Sequence, residues 1–152
     1  MVLTMQKEKK TSGSTSTLFE KLFAEPDIEK FLETNSDDLQ VLPFHEYLSS
    51  ITKEKGLIPE QVIKNSGIER TYGHQIYNGT RNPSREKIIQ LAFGLRVTLS
   101  ETQKLLTLGN RNLLYPRLKR DAIIIFCINH QKDFYETQTL LQSLKLTLLG
   151  DK

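Results

Sequence analysis

Two segments of the chain align without a gap at a separation of 35 residues: REKIIQLAFGLRVTLSETQKLL at 85–106 and RDAIIIFCINHQKDFYETQTLL at 120–141. Arg, Ile-Ile, Glu-Thr-Gln and Leu-Leu recur in register. The matching polar and apolar positions imply one helical hairpin built twice. Two copies are too few for a solenoid, so the second is expected to pack on the first and extend its core. Ile123 and Ile124 are then expected to be as buried as Ile88 and Ile89. The run AIIIFCI would suit a strand on propensity alone, but its context is helical on both sides. No stretch alternates at period two, and the expected fold class is all-α.

The remainder divides by composition. Residues 1–16 are polar and Lys/Ser/Thr-rich without periodicity, which reads as a flexible arm. Residues 17–42 read as an N-terminal helical extension, with Leu18, Phe19, Leu22 and Phe23 before Pro26 and Ile28, Phe31 and Leu32 after it. Phe19, Phe23 and Phe31 are expected to be buried anchors. Residues 43–109 form the central domain and 110–149 a C-terminal helical extension packed on it. Phe44, Tyr47, Leu48 and Ile51 lie on one helical face that ends near Gly56. Pro59 opens a short helix where no N–H donor is needed, and Gly67 stops it. A second short helix covers about 69–77 and closes at Asn78-Gly79. Ser84 is a cap for the next helix, and Ser100 with Gln103 reads as a capping box for the one after it.

Charge separates along the chain. Residues 1–52 carry 5 Lys/Arg against 9 Asp/Glu, residues 53–96 carry 8 against 4, and residues 97–152 carry 8 against 5. A polyanion is therefore expected to meet the middle of the chain. Cys127 is the sole cysteine, which excludes an intramolecular disulfide and a four-thiolate zinc site. It reads as a buried small hydrophobe in a reducing compartment. No 18-residue apolar run or secretory leader is present, so the expectation is a cytoplasmic protein without membrane association. His45, His74 and His130 have no neighbouring ligand pattern, and no nucleophile elbow or glycine-rich phosphate loop occurs. The reading is a non-enzyme, with no catalytic residue, metal or cofactor.

The two short helices near 59–66 and 69–77, joined at Gly67-Ile68, have the lengths of a helix-turn-helix. Val62, Ile63, Ile68 and Ile76 would seal its inner face. Thr71, His74 and Gln75 on the second helix carry donors and acceptors suited to base edges, and Arg70 can clamp a phosphate or donate to guanine. Asn78, Thr80, Arg81, Arg85 and Lys87 surround a loop and a helix start, an arrangement suited to backbone phosphates.

Those residues carry a resemblance. Gly67-Ile68, then Gly79, Arg81, Asn82, Pro83 and Ser84, then IIQLAFGLRVTL resemble the helix-turn-helix domain of the phage lambda repressor and Cro (XRE) family over about residues 44–108. The resemblance implies a compact five-helix repressor-like bundle, here extended by N-terminal helices and a C-terminal hairpin. It implies a transcriptional regulator that binds operator DNA, commonly as a dimer, with Thr71, His74, Gln75 and Asn78 where base or nearby phosphate contacts are made. Arg70 and Arg81 fall at exposed polar positions of the family. The chain departs from the pattern in having Pro59 for a phosphate-binding glutamine, Ile63 for a small alanine and Glu69 for a capping serine or threonine. It also has Gly73 for a buried aliphatic and Tyr77 for a frequent glutamate. Two functions are therefore carried forward: sequence-specific binding of double-stranded DNA, and a protein-binding adaptor or inhibitor that keeps the fold. A homodimer through 110–149, motivated by its Leu/Ile content, and a protein partner on the N- or C-terminal extension complete the expected partners.

Overall fold

The repeat becomes two helical hairpins whose correspondence extends to individual hydrogen bonds. A computed structural model describes residues 15–39 and 41–150, so most of the predicted arm lies outside the described residues. The described residues form nine α-helices and one 3-10 turn and contain no strand. They are α1 (Thr15–Ala24), α2 (Ile28–Thr34), α3 (Phe44–Glu54), α4 (Pro59–Asn65), α5 (Arg70–Asn78), α6 (Arg85–Leu95), α7 (Leu99–Leu108), α8 (Lys119–Asn129) and α9 (Phe134–Ser143). The all-α expectation therefore holds, and AIIIFCI lies within α8. No helix among the described residues is long and apolar enough to cross a membrane.

The chain divides into two units, one up to Val41 and one from Leu42 onward. Among the described residues of the first, Phe31 of α2 is buried at 3% exposed, and Asn35 is buried just beyond α2. Phe19 and Phe23 are 52% and 79% exposed, which corrects their reading as buried anchors. Two helices of ten and seven residues have too little inner surface to cover three aromatic rings.

In the second unit, α3 to α9 share one apolar core that includes Leu48, Ile51, Val62, Ile76, Ile88, Leu95, Leu106, Ile124 and Leu141. Residues 43–109 and 110–149 thus belong to one compact unit. Each hairpin of the repeat opens its second helix with a capping box: Thr98 with Glu101 in the first, Asp133 with Glu136 in the second. The box lies two residues before the Ser100–Gln103 pair expected from sequence. Gln103 instead bridges both backbone groups of Leu114 near its hairpin's end, as Gln138 does for Leu149. The left-handed residues match too, Arg96 with Gln131 and Asn110 with Lys145.

The hairpins are joined by crossed ion pairs. Arg85 Nη2 lies 2.9 Å from Asp121, and Arg120 Nη2 lies 2.8 Å from Glu86. At the 35-residue offset, Arg85 corresponds to Arg120 and Glu86 to Asp121. Each arginine also donates to two carbonyls of its own hairpin, Asn112 and Leu113 or Thr147 and Leu148. Each carboxylate accepts a backbone N–H of the opposite hairpin, Asp121 from Tyr115 and Glu86 from Gly150. This reciprocity is the signature of a local two-fold relation, which closes on itself rather than propagating. The inner faces differ slightly. Ile124 is fully buried like Ile88 and Ile89, whereas Ile123 is only partly covered, which corrects its expected burial. Cys127 is buried as expected, and that burial pushes its thiol pKa up.

The helix pair α4–α5 is seated against this frame. Gly94 lets α6 approach α4 so closely that an added Cβ would meet Ser66 Oγ and lie 2.5 Å from the Val62 carbonyl oxygen. Gln90 Nε2 donates to the carbonyl of Ser66 at 3.0 Å, within the turn between α4 and α5. Gly67 in that turn has φ +71, and Phe134 of α9 occupies the space where its side chain would lie. The second hairpin therefore braces the α4–α5 turn directly.

Burial alone would raise the Glu86 carboxyl, but its hydrogen bonds from Arg120 and the Gly150 N–H leave it lowered. A lowered carboxyl stabilises the fold above its unfolded pKa of about 4.3, and this stability is lost as pH falls through the folded value. Glu86→Gln is expected to cost on the order of 3 kcal/mol at neutral pH by leaving Arg120 without its counter-charge. In urea unfolding, the gap from wild type should narrow below about pH 4. A gap that stays constant with pH would contradict the assignment.

Candidate nucleic-acid interface

The site begins with the packing of α5. Ile76 and Tyr77 turn inward, and Gly73 lies under Ile63 of α4, where an added Cβ would meet the Ile63 side chain at 2.5 Å. The small residue of this helix contact is thus on α5 and the large one on α4. Thr52 donates its hydroxyl to the Leu48 carbonyl at 2.7 Å, so the buried Tyr77 hydroxyl donates to Thr52, also at 2.7 Å. Burial pushes the Tyr77 pKa up to about 12, against the opposing effect of the Thr52 bond. Tyr77 is therefore a core residue and does not cover the outer face of α5.

That outer face carries Thr71, His74, Gln75 and Asn78 at helical spacing, with Thr71 and Asn78 exposed and the other two half-buried. Its first turn is already occupied. Glu69 caps α5 by accepting the backbone N–H groups of Thr71 and Tyr72 at 3.0 and 2.9 Å, which lowers its carboxyl pKa. A phosphate meets no free N–H group at those two positions. Glu60 of α4 accepts from Arg70 Nε at 2.9 Å and pairs with His74 Nε2 at 2.8 Å. Its hydrogen bonds to His74 and Arg70 lower its carboxyl pKa.

The end of α5 and the following loop form a second cluster. Gly79 closes the helix at φ +86, and Asn78 Oδ1 accepts from the Thr80 backbone N–H and hydroxyl at 3.0 and 2.8 Å. Arg81 Nε donates to Gln75 Oε1 at 3.0 Å while its guanidinium carbon stands 4.6 Å from the centroid of the Tyr72 ring. Lys87 Nζ lies over the same ring at 5.6 Å and reaches Gln90 at 3.3 Å. Tyr72 is thus a shelf that holds two cations beside Gln75. The Arg81 bond takes one lone pair of the Gln75 oxygen and orients its amide; the second lone pair and both amide N–H groups remain.

The predicted residues consequently fall into three groups. Gln75, Asn78, Thr80, Arg81 and Lys87 gather around the loop and the end of α5. Arg70 and His74 share Glu60, with Thr71 exposed near them. Arg85 is held by Asp121, Asn112 and Leu113 between the two hairpins. Its partner lies 36 residues away, outside any local motif. Two contributors lack a local sequence signal. Glu60 is a separate helix's acid, and Arg111 joins the loop by donating from Nε to the Pro83 carbonyl at 3.1 Å. The described residues contain no group of three or more His, Cys, Asp or Glu able to hold a metal ion. Comparison with protein-family models, curated proteins and solved structures found no match.

Glu60→Gln removes the charge that holds Arg70 and His74. The variant is expected to elute from immobilised heparin at higher salt than wild type, with a dependence steeper by about one released counterion. Unchanged elution would contradict an intramolecular competition for these side chains.

Proposed function

We propose that this protein is a sequence-specific double-stranded DNA-binding regulator of transcription, with α4–α5 used as a helix-turn-helix of the repressor type. The observation that carries the reading is the cluster at the end of α5: Gln75, Asn78, Thr80 and Arg81 share a face with Lys87 beside it, while Tyr77 is buried beneath. Gln75, oriented by Arg81, presents an amide able to read a base edge in the major groove. Arg81, Lys87 and Arg111 supply cations for the flanking backbone. Arg85 is better assigned to the frame than to a phosphate, because Asp121 and two carbonyls hold its guanidinium. Arg70 and His74 join the contact only where DNA displaces Glu60. The mechanism is occupancy: the protein placed over a promoter blocks or recruits the transcription machinery without chemistry.

The Glu60 contacts also favour the second reading, a protein-binding adaptor that retains the fold. They neutralise cations where a tight operator binder would leave them open.

Titration against a pool of genomic fragments at two salt concentrations separates the readings. The DNA reading predicts selective retention of a subset of fragments that weakens as salt rises. Arg81→Ala is expected to weaken binding to every duplex and reduce the salt slope by about one. Gln75→Ala should relax preference at one base pair, worth about 1–3 kcal/mol of discrimination. Absence of selective retention at low salt would favour the adaptor.

A further inference from the structure

A cavity of about 250 Å³ opens on the seam between the two hairpins, where the turn after α6 meets the turn after α8. Its lining follows the repeat: Phe93 and Ile128, Arg96 and Gln131, and Val97 and Lys132 are pairs at the 35-residue offset. The floor is apolar. Ala92, Phe93, Val97 and Ile128 line it although each is at most 7% exposed. The rim is polar, with Arg96, Thr98, Asn129, Gln131 and Lys132 all exposed. Its charge has one sign, because no Asp or Glu lines the cavity. The ion pairs found among the described residues all involve side chains other than Arg96 and Lys132. Arg96 makes one long contact, from Nη2 to the Gln131 carbonyl at 3.4 Å, which ties the two turns together. Acids near both turns are engaged: Glu101 accepts the Thr98 N–H and pairs with Lys55, and Asp133 caps α9 through the Glu136 N–H. Arg85 and Arg120 each hold a carboxylate of the chain, whereas Arg96 and Lys132 flank an apolar hollow without one.

The geometry points to this cavity as a binding site for a small organic carboxylate, its apolar body on Phe93, Val97 and Ile128 and its charge between Arg96 and Lys132. A guanidinium without a counter-charge is suited to a carboxylate, which it can meet through two parallel N–H bonds. Each half of the site requires its own half of the ligand. An inorganic anion would satisfy the rim but leave the apolar floor in water, and a neutral apolar molecule would leave both cations unmatched. The volume is below the roughly 300–1,000 Å³ of sites for drug-sized ligands, so the body is compact, on the scale of a single ring. A ligand held there touches both hairpins at once. It therefore binds the folded chain and not the unfolded one, and stabilises the fold by mass action.

Titration of the isotope-labelled full chain with benzoate, followed by amide chemical shifts, is the test. Saturable changes are expected at residues 92–99 and 128–132, together with a rise in melting temperature. Benzamide, which has the shape without the charge, and inorganic phosphate, which has the charge without the ring, should each bind about tenfold more weakly or worse. Arg96→Gln should weaken benzoate about tenfold. It introduces the residue that the repeat already carries at Gln131 in the same left-handed conformation, so the circular dichroism spectrum should be unchanged. Lys132→Gln changes an exposed side chain and gives a second folded test with the same expected direction. Arg117→Gln removes an exposed cation outside the cavity and should retain wild-type affinity. Absence of saturable shifts at these residues in millimolar benzoate, benzamide or phosphate binding as tightly as benzoate, or wild-type affinity in both folded rim variants would overturn the assignment.

Discussion

The crossed pairs Arg85–Asp121 and Arg120–Glu86 fix the relation between the two hairpins, and the position of the α4–α5 surface follows from that frame. Each carboxylate is buried and satisfied by a guanidinium and a backbone N–H. Displacing one hairpin by a residue would leave these charges unpaired away from water, a larger penalty than the loss of a surface ion pair. Buried ion pairs are weak sources of net stability, but these four side chains specify one register. The hairpins then present Gln90 to the α4–α5 turn and Phe134 to Gly67 within it.

Acidic side chains shape the candidate interface as much as basic ones. Glu69 takes two N–H groups at the start of α5, and Glu60 takes Arg70 and His74. What remains open is displaced toward the end of α5, where Tyr72 supports Arg81 and Lys87. A chain with modest net charge and two acids in this region is suited to binding that depends on well-placed contacts rather than a strong general field.

Much of this architecture was legible from local pattern. Pro59, Gly67, Gly79 and Ser84 mark helix ends through backbone chemistry that acts within a few residues. The 35-residue repeat announced the two hairpins, and its recurring Arg-acid dipeptides were visible in the alignment. What the alignment did not carry was their pairing across hairpins, and this is why Arg85 read as a phosphate ligand. The complementary bulk of Ile63 and Gly73 is equally non-local: ten residues separate them, and only the packing shows that one fills the space the other leaves. Phe19 and Phe23 show the opposite limit, since apolar spacing gives a face without showing that anything covers it.

The proposed DNA contact centres on α5 and the loop that follows it. Amide chemical-shift mapping during titration with a duplex retained from the genomic pool addresses it most directly. Saturable changes are expected in residues 70–87 and at Arg111, with the core of α9 little affected. Changes confined to α8 and α9, or shifts without saturation at low salt, would contradict it.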